Sequence, residues 1–182
     1  MRKEVLVPIA DGSEEIEAVC IIDVLRRAGA SVTVASVGTL QITASRGVKI
    51  VTDTVIDACA EKKYDLIALP GGMPGAEYLR DSEILTDMLQ RQKQEGRLYA
   101  AICASPAVVF QHHGLLSTHH ATCHPAFADQ LGSKASSHFR VVVDDNCITS
   151  QGPGTALEFA LKLVEMLYGK ARGDEVAGPM VI

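Results

Sequence analysis

The 182-residue chain has no tryptophan, and aromatic residues make up only 4% of it. Because 47% of the residues are hydrophobic, the core they build is mainly aliphatic. No apolar run approaches the ~20 residues of a membrane-spanning helix. No basic stripe is visible, and a net charge of -5 with a pI near 5.6 argues against nucleic acid as the main partner. The five cysteines are odd in number and none forms a CxxC pair, so free thiols are expected instead of a disulfide framework. The glycine-rich segments PGGMPG and QGPGT lack both the Gly-Lys-Ser/Thr ending and the GxGxxG spacing, so no nucleotide is implied. Without a G-x-S-x-G there is no support for a serine hydrolase.

The opening MRKEVLVPIADGSEE has an apolar run too short for a secretory signal, followed at once by acids. A soluble intracellular protein, cytoplasmic by default, is expected, and the length favours one domain.

What is present alternates between two periods. Val5 to Ala10 reads as a buried strand ending at Asp11-Gly12. Ser13 is placed to cap a helix whose first turn carries Glu14 and Glu15, and whose apolar stripe is Ile16, Val19, Cys20 and Val24. That helix stops at Ala28-Gly29, and Ser31 to Val37 forms a second strand, so the chain opens β-α-β with parallel strands. Gln41–Ala44 and Val48–Val51 flank Ser45-Arg46-Gly47 as a hairpin. Val55 to Lys62 predicts a brief helix, Asp65 to Leu69 a strand ending in Pro70-Gly71-Gly72, and Asp81 to Glu95 an amphipathic helix. Leu98 to Ile102 is a strand and Ala104 to Phe110 a helix with Pro106 in its first turn. Ala121 to Cys123 reads as a short strand, Phe139–Val143 and Cys147–Ser150 as two more, and Thr155 to Tyr168 as the last long helix, followed by a weakly helical tail from Arg172. Strands alternating with helices predict an α/β sandwich, a mostly parallel central sheet with helices on both faces.

Three predicted strand ends carry unusual residues: the acidic turn from Asp11 to Glu17, Gly71-Gly72, and Cys103. In open α/β sheets the ligand crevice lies outside the carboxyl ends of the strands, where all three would meet. A strand that turns sharply into a helix lifts the junction residue into that crevice and aims free helix N–H groups at it. Cys103 is therefore either a reactive thiol on such an elbow or a plain core cysteine. Gly72 and Ala104 N–H groups are candidate oxyanion donors. Glu17, between Ile16 and Ala18, is either a solvated helix acid or a desolvated carboxyl with a raised pKa that donates to the sulfur. His124, at an apparent strand end before a proline, is a candidate base. His112-His113, His119-His120 and the neighbours Cys123-His124 match no zinc spacing, so no metal is expected.

Six segments, DGSEEIEAV, SRGV, YDLIALPGGMPGAEYLRDS, AAICASPAV, TCHPAF and TSQGPGTALEFALKLVE, resemble in this order the ThiJ/PfpI superfamily, most closely the branch of the parkinsonism-associated DJ protein. The resemblance covers Val5 to about Val181. It implies a flavodoxin-like three-layer sandwich, a single domain over residues 1–182, and a homodimer. It implies that Cys103 is a low-pKa elbow cysteine readily oxidised to sulfinate, with Glu17 as its protonated partner and His124 nearby without a tight triad geometry. Gly72 and Ala104 would supply backbone donors, and Arg46 and Arg27 would lie by the dimer-proximal anion pocket next to the cysteine. Three departures stand out. Ser105 replaces a glycine common after the nucleophile, Gln151 replaces a basic residue, and Val51 stands where some members carry an interface cysteine.

Two functions follow as expectations. One is a cofactor-free glyoxalase or deglycase that acts on methylglyoxal, glyoxal and early glycation adducts on proteins, with no nucleic acid or membrane partner. The other is a non-enzymatic redox sensor or chaperone in the oxidative stress response. An amidase or peptidase would need a tight Cys–His–acid triad.

Overall fold

The computed structural model describes residues 2–136 and 138–182. The chain runs β1 (Glu4–Ile9), α1 (Glu15–Arg27), β2 (Ser31–Ser36), a hairpin of β3 (Gln41–Thr43) and β4 (Lys49–Val51), then β5 (Thr54–Val55) and β6 (Leu66–Leu69). Next come α2 (Gly75–Arg80), α3 (Glu83–Gln94), β7 (Leu98–Ile102) and a π-helix over Pro106–Gln111. The short α4 (Ala128–Leu131), β8 (Val141–Asp144), β9 (Cys147–Ser150), α5 (Ala156–Tyr168) and α6 (Lys170–Ala177) complete it.

Seven strands form one sheet in the order β5-β2-β1-β6-β7-β9-β8. All neighbours are parallel except β8, which runs antiparallel to β9 at the edge. Strand residues alternate between two apolar layers. Val5, Val7, Ile9, Leu66, Ala68, Ala100 and Ile102 pack with α1 and α5 through Ile21, Leu25, Phe159 and Leu163. Leu6, Ile67, Leu69, Tyr99 and Ala101 pack on the other face with α3 and the π-helix through Leu85, Leu89 and Phe110. This is the α/β sandwich that the alternating pattern predicts.

Several local expectations change. The cap of α1 is Glu14, whose side chain accepts from the Ile16 N–H, because the Ser13 hydroxyl is used by the Ala10 N–H at 3.0 Å. The buried face of α1 is Ala18, Ile21, Val24 and Leu25, whereas Ile16 and Val19 are 54% and 52% exposed. The charged Glu17 interrupts the true stripe and made the wrong one look apolar. The helix expected over 81–95 starts at Glu83, capped by the Ser82 hydroxyl, and the unpredicted α2 precedes it. Residues 55–62 hold only β5's last residue and a single 3-10 turn, Ile56–Cys59. At 121–123 there is no strand, only an isolated bridge from Ala121 to Ala135.

β1 sits between β2 and β6, so the chain leaves it toward one edge and later returns on its other side. The carboxyl ends of β1, β6 and β7 therefore open side by side, and the turns after them build the site.

Candidate active site

Cys103 follows β7 directly and holds a left-handed backbone, φ 65°, which is costly for a residue with a side chain. The turn is held on both sides. Cys103 N–H donates to Ser150 O at 3.0 Å, and Cys103 O accepts from His124 N–H at 2.8 Å. The buried Ser105 hydroxyl donates to Pro70 O at 2.6 Å and ties the elbow to the end of β6. Thus the serine that departs from the expected glycine becomes a strut.

The β6 turn comes equally close. A Cβ added at Gly71 would lie 2.6 Å from Cys103 Cβ and 2.9 Å from Ala104 N. Gly72, at φ +86°, would meet Glu14 N and Gly12 O at 2.5 Å, and Gly75 would meet Ser13 N at 2.4 Å. Glu14 N–H donates to Gly71 O at 2.9 Å. These glycines let three backbones approach one another around the sulfur.

Glu17 is fully buried, and its Oε2 accepts from Gly71 N–H at 2.7 Å. Burial raises its pKa to about 7, opposed by the Gly71 and Cys103 hydrogen bonds and assisted by the charge of Glu14. The Cys103 thiol is partly buried. Burial pushes it up to about 12, and the negative charge of Glu17 and a hydrogen bond to that carboxyl act in the same direction. The Gly72 and Ala104 backbone N–H groups bond to the sulfur and pull the other way. The net direction is opposite to the low pKa that the resemblance implies. Burial is the largest cause and the charge on Glu17 the next: a protonated Glu17 would remove that repulsion and become the donor.

Of the remaining candidates, His124 is placed by backbone bonds. Its Nδ1 accepts from Ala126 N–H at 3.2 Å, so that nitrogen faces a peptide and not a carboxylate. Its ring lies beside Phe127, and a Cβ on Gly152 would stand 3.5 Å from its Cδ2. Arg46 serves through its backbone: its N–H clamps Glu15 Oε1 and Oε2 at 2.9 and 3.1 Å, while its guanidinium is exposed and donates to Ser45 O. Arg27 pairs with Asp23 at the far end of α1. Ten residues of helix separate it from Glu17, about 15 Å of rise, so within one chain it is not beside the cysteine. Among the described residues no three His, Cys, Asp or Glu side chains converge as a metal site.

Sequence reasoning missed Gly71 as the donor to Glu17 and Ser105 as a strut. It also missed Ser45, whose hydroxyl lies 2.8 Å from Glu14 Oε2 and 2.9 Å from Glu15 Oε2. Both glycines were visible as a pair after a strand, but which N–H meets which group needs the three turns in place.

A model of the DJ-1/PfpI family matches residues 3–166. Protein DJ-1 homolog B of Arabidopsis thaliana is 54% identical over 175 residues, covering 96% of this chain and 40% of that protein. The chain thus spans about two fifths of the length of that relative. A Caenorhabditis elegans protein described as glutathione-independent glyoxalase DJR-1.2 is 36% identical over 180 residues, 98% of this chain and 95% of the relative. The structure of oxidized Toxoplasma gondii DJ-1 superposes with a TM-score of 0.96 at 53% identity, covering 98% of both chains.

Proposed function

The chain belongs to the DJ-1/PfpI family, and from that membership we propose that it is a cysteine-dependent, cofactor-free glyoxalase and deglycase with Cys103 as nucleophile. One observation carries this reading: a strained elbow cysteine receives two backbone N–H groups while a buried carboxyl stands against its sulfur. The similarity to a relative described as a glutathione-independent glyoxalase supports the substrate class.

The pair Cys103–Glu17 shares a proton. In the reactive form the sulfur is the anion and Glu17 the acid. The sulfur adds to the aldehyde carbon of methylglyoxal, the carbonyl π pair moves to oxygen, and the Gly72 and Ala104 N–H groups face that oxyanion. Glu17 gives its proton to the oxygen, which completes a hemithioacetal. Glu17 and His124 then carry a proton from the former aldehyde carbon to the neighbouring ketone carbon through an enediol. The first carbon is thereby oxidised to a thioester and the second reduced to an alcohol. Water cleaves the thioester to lactate and regenerates the thiol, so the sum is one dicarbonyl plus one water. The same attack on early glycation adducts would release protein thiols and amines.

The test is lactate formation from methylglyoxal without glutathione, comparing the reduced protein with Cys103→Ser. Many turnovers by the first and none by the second sustain the reading; no turnover by either overturns it.

A second reading, a redox sensor or chaperone, is favoured by the 53% identity to a structure described as oxidized. Two equivalents of peroxide would take the Cys103 thiol to sulfinate with release of two waters, and Glu17 would hydrogen-bond the product. It predicts one oxidation event per chain and no dicarbonyl turnover. A peptidase is disfavoured, because His124 Nδ1 is taken by the Ala126 N–H.

The functional unit is a homodimer. Ile16 and Val19 on the outer face of α1, with Val48 and Val51 on the hairpin, are each at least half exposed and supply the apolar surface for it.

A further inference from the structure

We propose that Ser105 is a positioning residue that fixes the separation of the Gly72 and Ala104 N–H groups, and with it the fit of the oxyanion site beside Cys103. The inference rests on Cys103 being the nucleophile of the proposed function and on those N–H groups being its oxyanion donors.

A serine at the start of a helix ordinarily turns its oxygen back to accept a free N–H of the first turn. Ser105 precedes the π-helix and makes no such bond. Its hydroxyl donates instead to Pro70 O at 2.6 Å, and both residues are buried. The pairing of β6 with β7 ends at Leu69–Ala101, so Pro70 lies one residue past the ladder. Cys103 N–H, just past the end of β7, is turned the other way, to Ser150 O on β9. The Ser105 hydroxyl therefore stands in for the next rung between β6 and β7.

Both oxyanion donors hang on this rung. Ala104, next to Ser105 in the chain, is buried, and its carbonyl accepts from the Ala107 and Val108 N–H groups of the helix. Gly72 is two residues past Pro70, on the β6 turn. The bonds of Gly71 run toward α1: its N–H goes to Glu17 Oε2 at 2.7 Å, and its carbonyl accepts from Glu14 N–H at 2.9 Å. Gly71 lets the two turns touch but has no side chain to hold them together. Apart from the Gly72 N–H on the sulfur itself, the Ser105 hydroxyl makes the hydrogen bond that joins the elbow helix to the β6 turn among the described residues. The elbow needs that tie, because a left-handed cysteine at φ 65° persists only where its surroundings over-determine it. Without the hydroxyl, Pro70 O is left buried and unpaired, and the β6 turn shifts to find a donor. Oxyanion donors act only at about 2.7–3.1 Å from the developing charge, so a small shift of Gly72 against Ala104 is felt in the transition state.

The experiment compares two reactions of Cys103, each read from the mass of the peptide that carries it. Iodoacetamide alkylates the thiolate and expels iodide, with no oxyanion. p-Nitrophenyl acetate is attacked at its carbonyl carbon, the π pair moves to oxygen, and the oxyanion collapses to an acetyl thioester as p-nitrophenolate leaves. Both reactions consume the same thiolate, so the ratio of their rates cancels its population and reports the oxyanion donors. Ser105→Ala and Ser105→Gly, which lack the hydroxyl, are expected to lower the acylation-to-alkylation ratio about tenfold, while Ser105→Thr keeps it within about twofold of the parent. Thermal melts set a temperature at which the variants compared are folded. A folded Ser105→Ala or Ser105→Gly with the parent's ratio, or a folded Ser105→Thr that falls as far as Ser105→Ala, overturns the proposal. A parent alkylated but never acylated at Cys103 overturns it together with the oxyanion roles of Gly72 and Ala104. Neither reagent is a dicarbonyl, so a protein that makes no lactate overturns the glyoxalase reading and leaves this ratio readable.

Discussion

Gly71 and Cys103 approach so closely that one methyl group would separate them: a Cβ on Gly71 would lie 2.6 Å from the Cβ of Cys103. The contact is what lets the β6 turn present Gly72 N–H to the sulfur and Gly71 N–H to Glu17. Gly71→Ala is expected to push the two turns apart. Alkylation of Cys103 should then change by about tenfold or more at fixed pH, with a loss of stability on the order of 2 kcal/mol. Urea unfolding and the alkylation rate check both, and an unchanged rate contradicts the assigned role of the turn.

Glu17 makes stability depend on pH in a definite sense. Burial raises its pKa from 4.5 to about 7, so folding favours the protonated carboxyl. The contribution is fully present below about 4.5 and is lost as pH rises through 7, on the order of 3 kcal/mol in all. Thermal melting of the parent should therefore fall between pH 5 and about 7.5 more steeply than that of Glu17→Gln. Parallel curves for the two proteins would refute the assignment of a buried proton to Glu17.

His124 separates positioning from proton transfer. Asn at this position keeps an acceptor for the Ala126 N–H, so His124→Asn should preserve the loop. The Cys103 alkylation midpoint is expected to stay within about 0.3 pH unit, while lactate turnover falls about tenfold or more. Full turnover in the variant would remove His124 from the proton path.

The exposed apolar surface gives a prediction about assembly. Val19 is 52% and Val51 is 72% exposed, on α1 and on the hairpin respectively. Val19→Glu with Val51→Glu should halve the mass measured by light scattering. A parent protein that already scatters as a monomer would sink the homodimer.

The sandwich was legible because strands and helices carry different periods, and the crevice because unusual residues cluster at strand ends. Cys103, Glu17, Gly72 and Ala104 all fall where the chain order suggested. The outward face of α1 was misread because Glu17, a charged type, occupies the buried stripe, and residue type alone signals exposure. Arg46 holds Glu15 through its backbone and Arg27 sits about 15 Å along the helix from Glu17, so a pocket shared by both would have to be completed across a dimer contact, which spacing within one chain does not encode. The direction of the Cys103 pKa escaped for a different reason. It depends first on how far the sulfur is buried, and then on whether a neighbour 86 residues away in sequence holds a proton, neither of which residue type encodes.

The left-handed backbone at Cys103 places durability and reactivity in opposition at a single residue. Glycine is the residue that suits φ 65° without cost, so exchanging the proposed nucleophile for glycine relieves about 1 kcal/mol of backbone strain. A buried acid at Glu17 sets up the same conflict, since a neutral apolar side chain would be easier to bury. Selection of variants for heat resistance alone would therefore erode this protein from its centre outward and deliver a sturdier sandwich with nothing left to react.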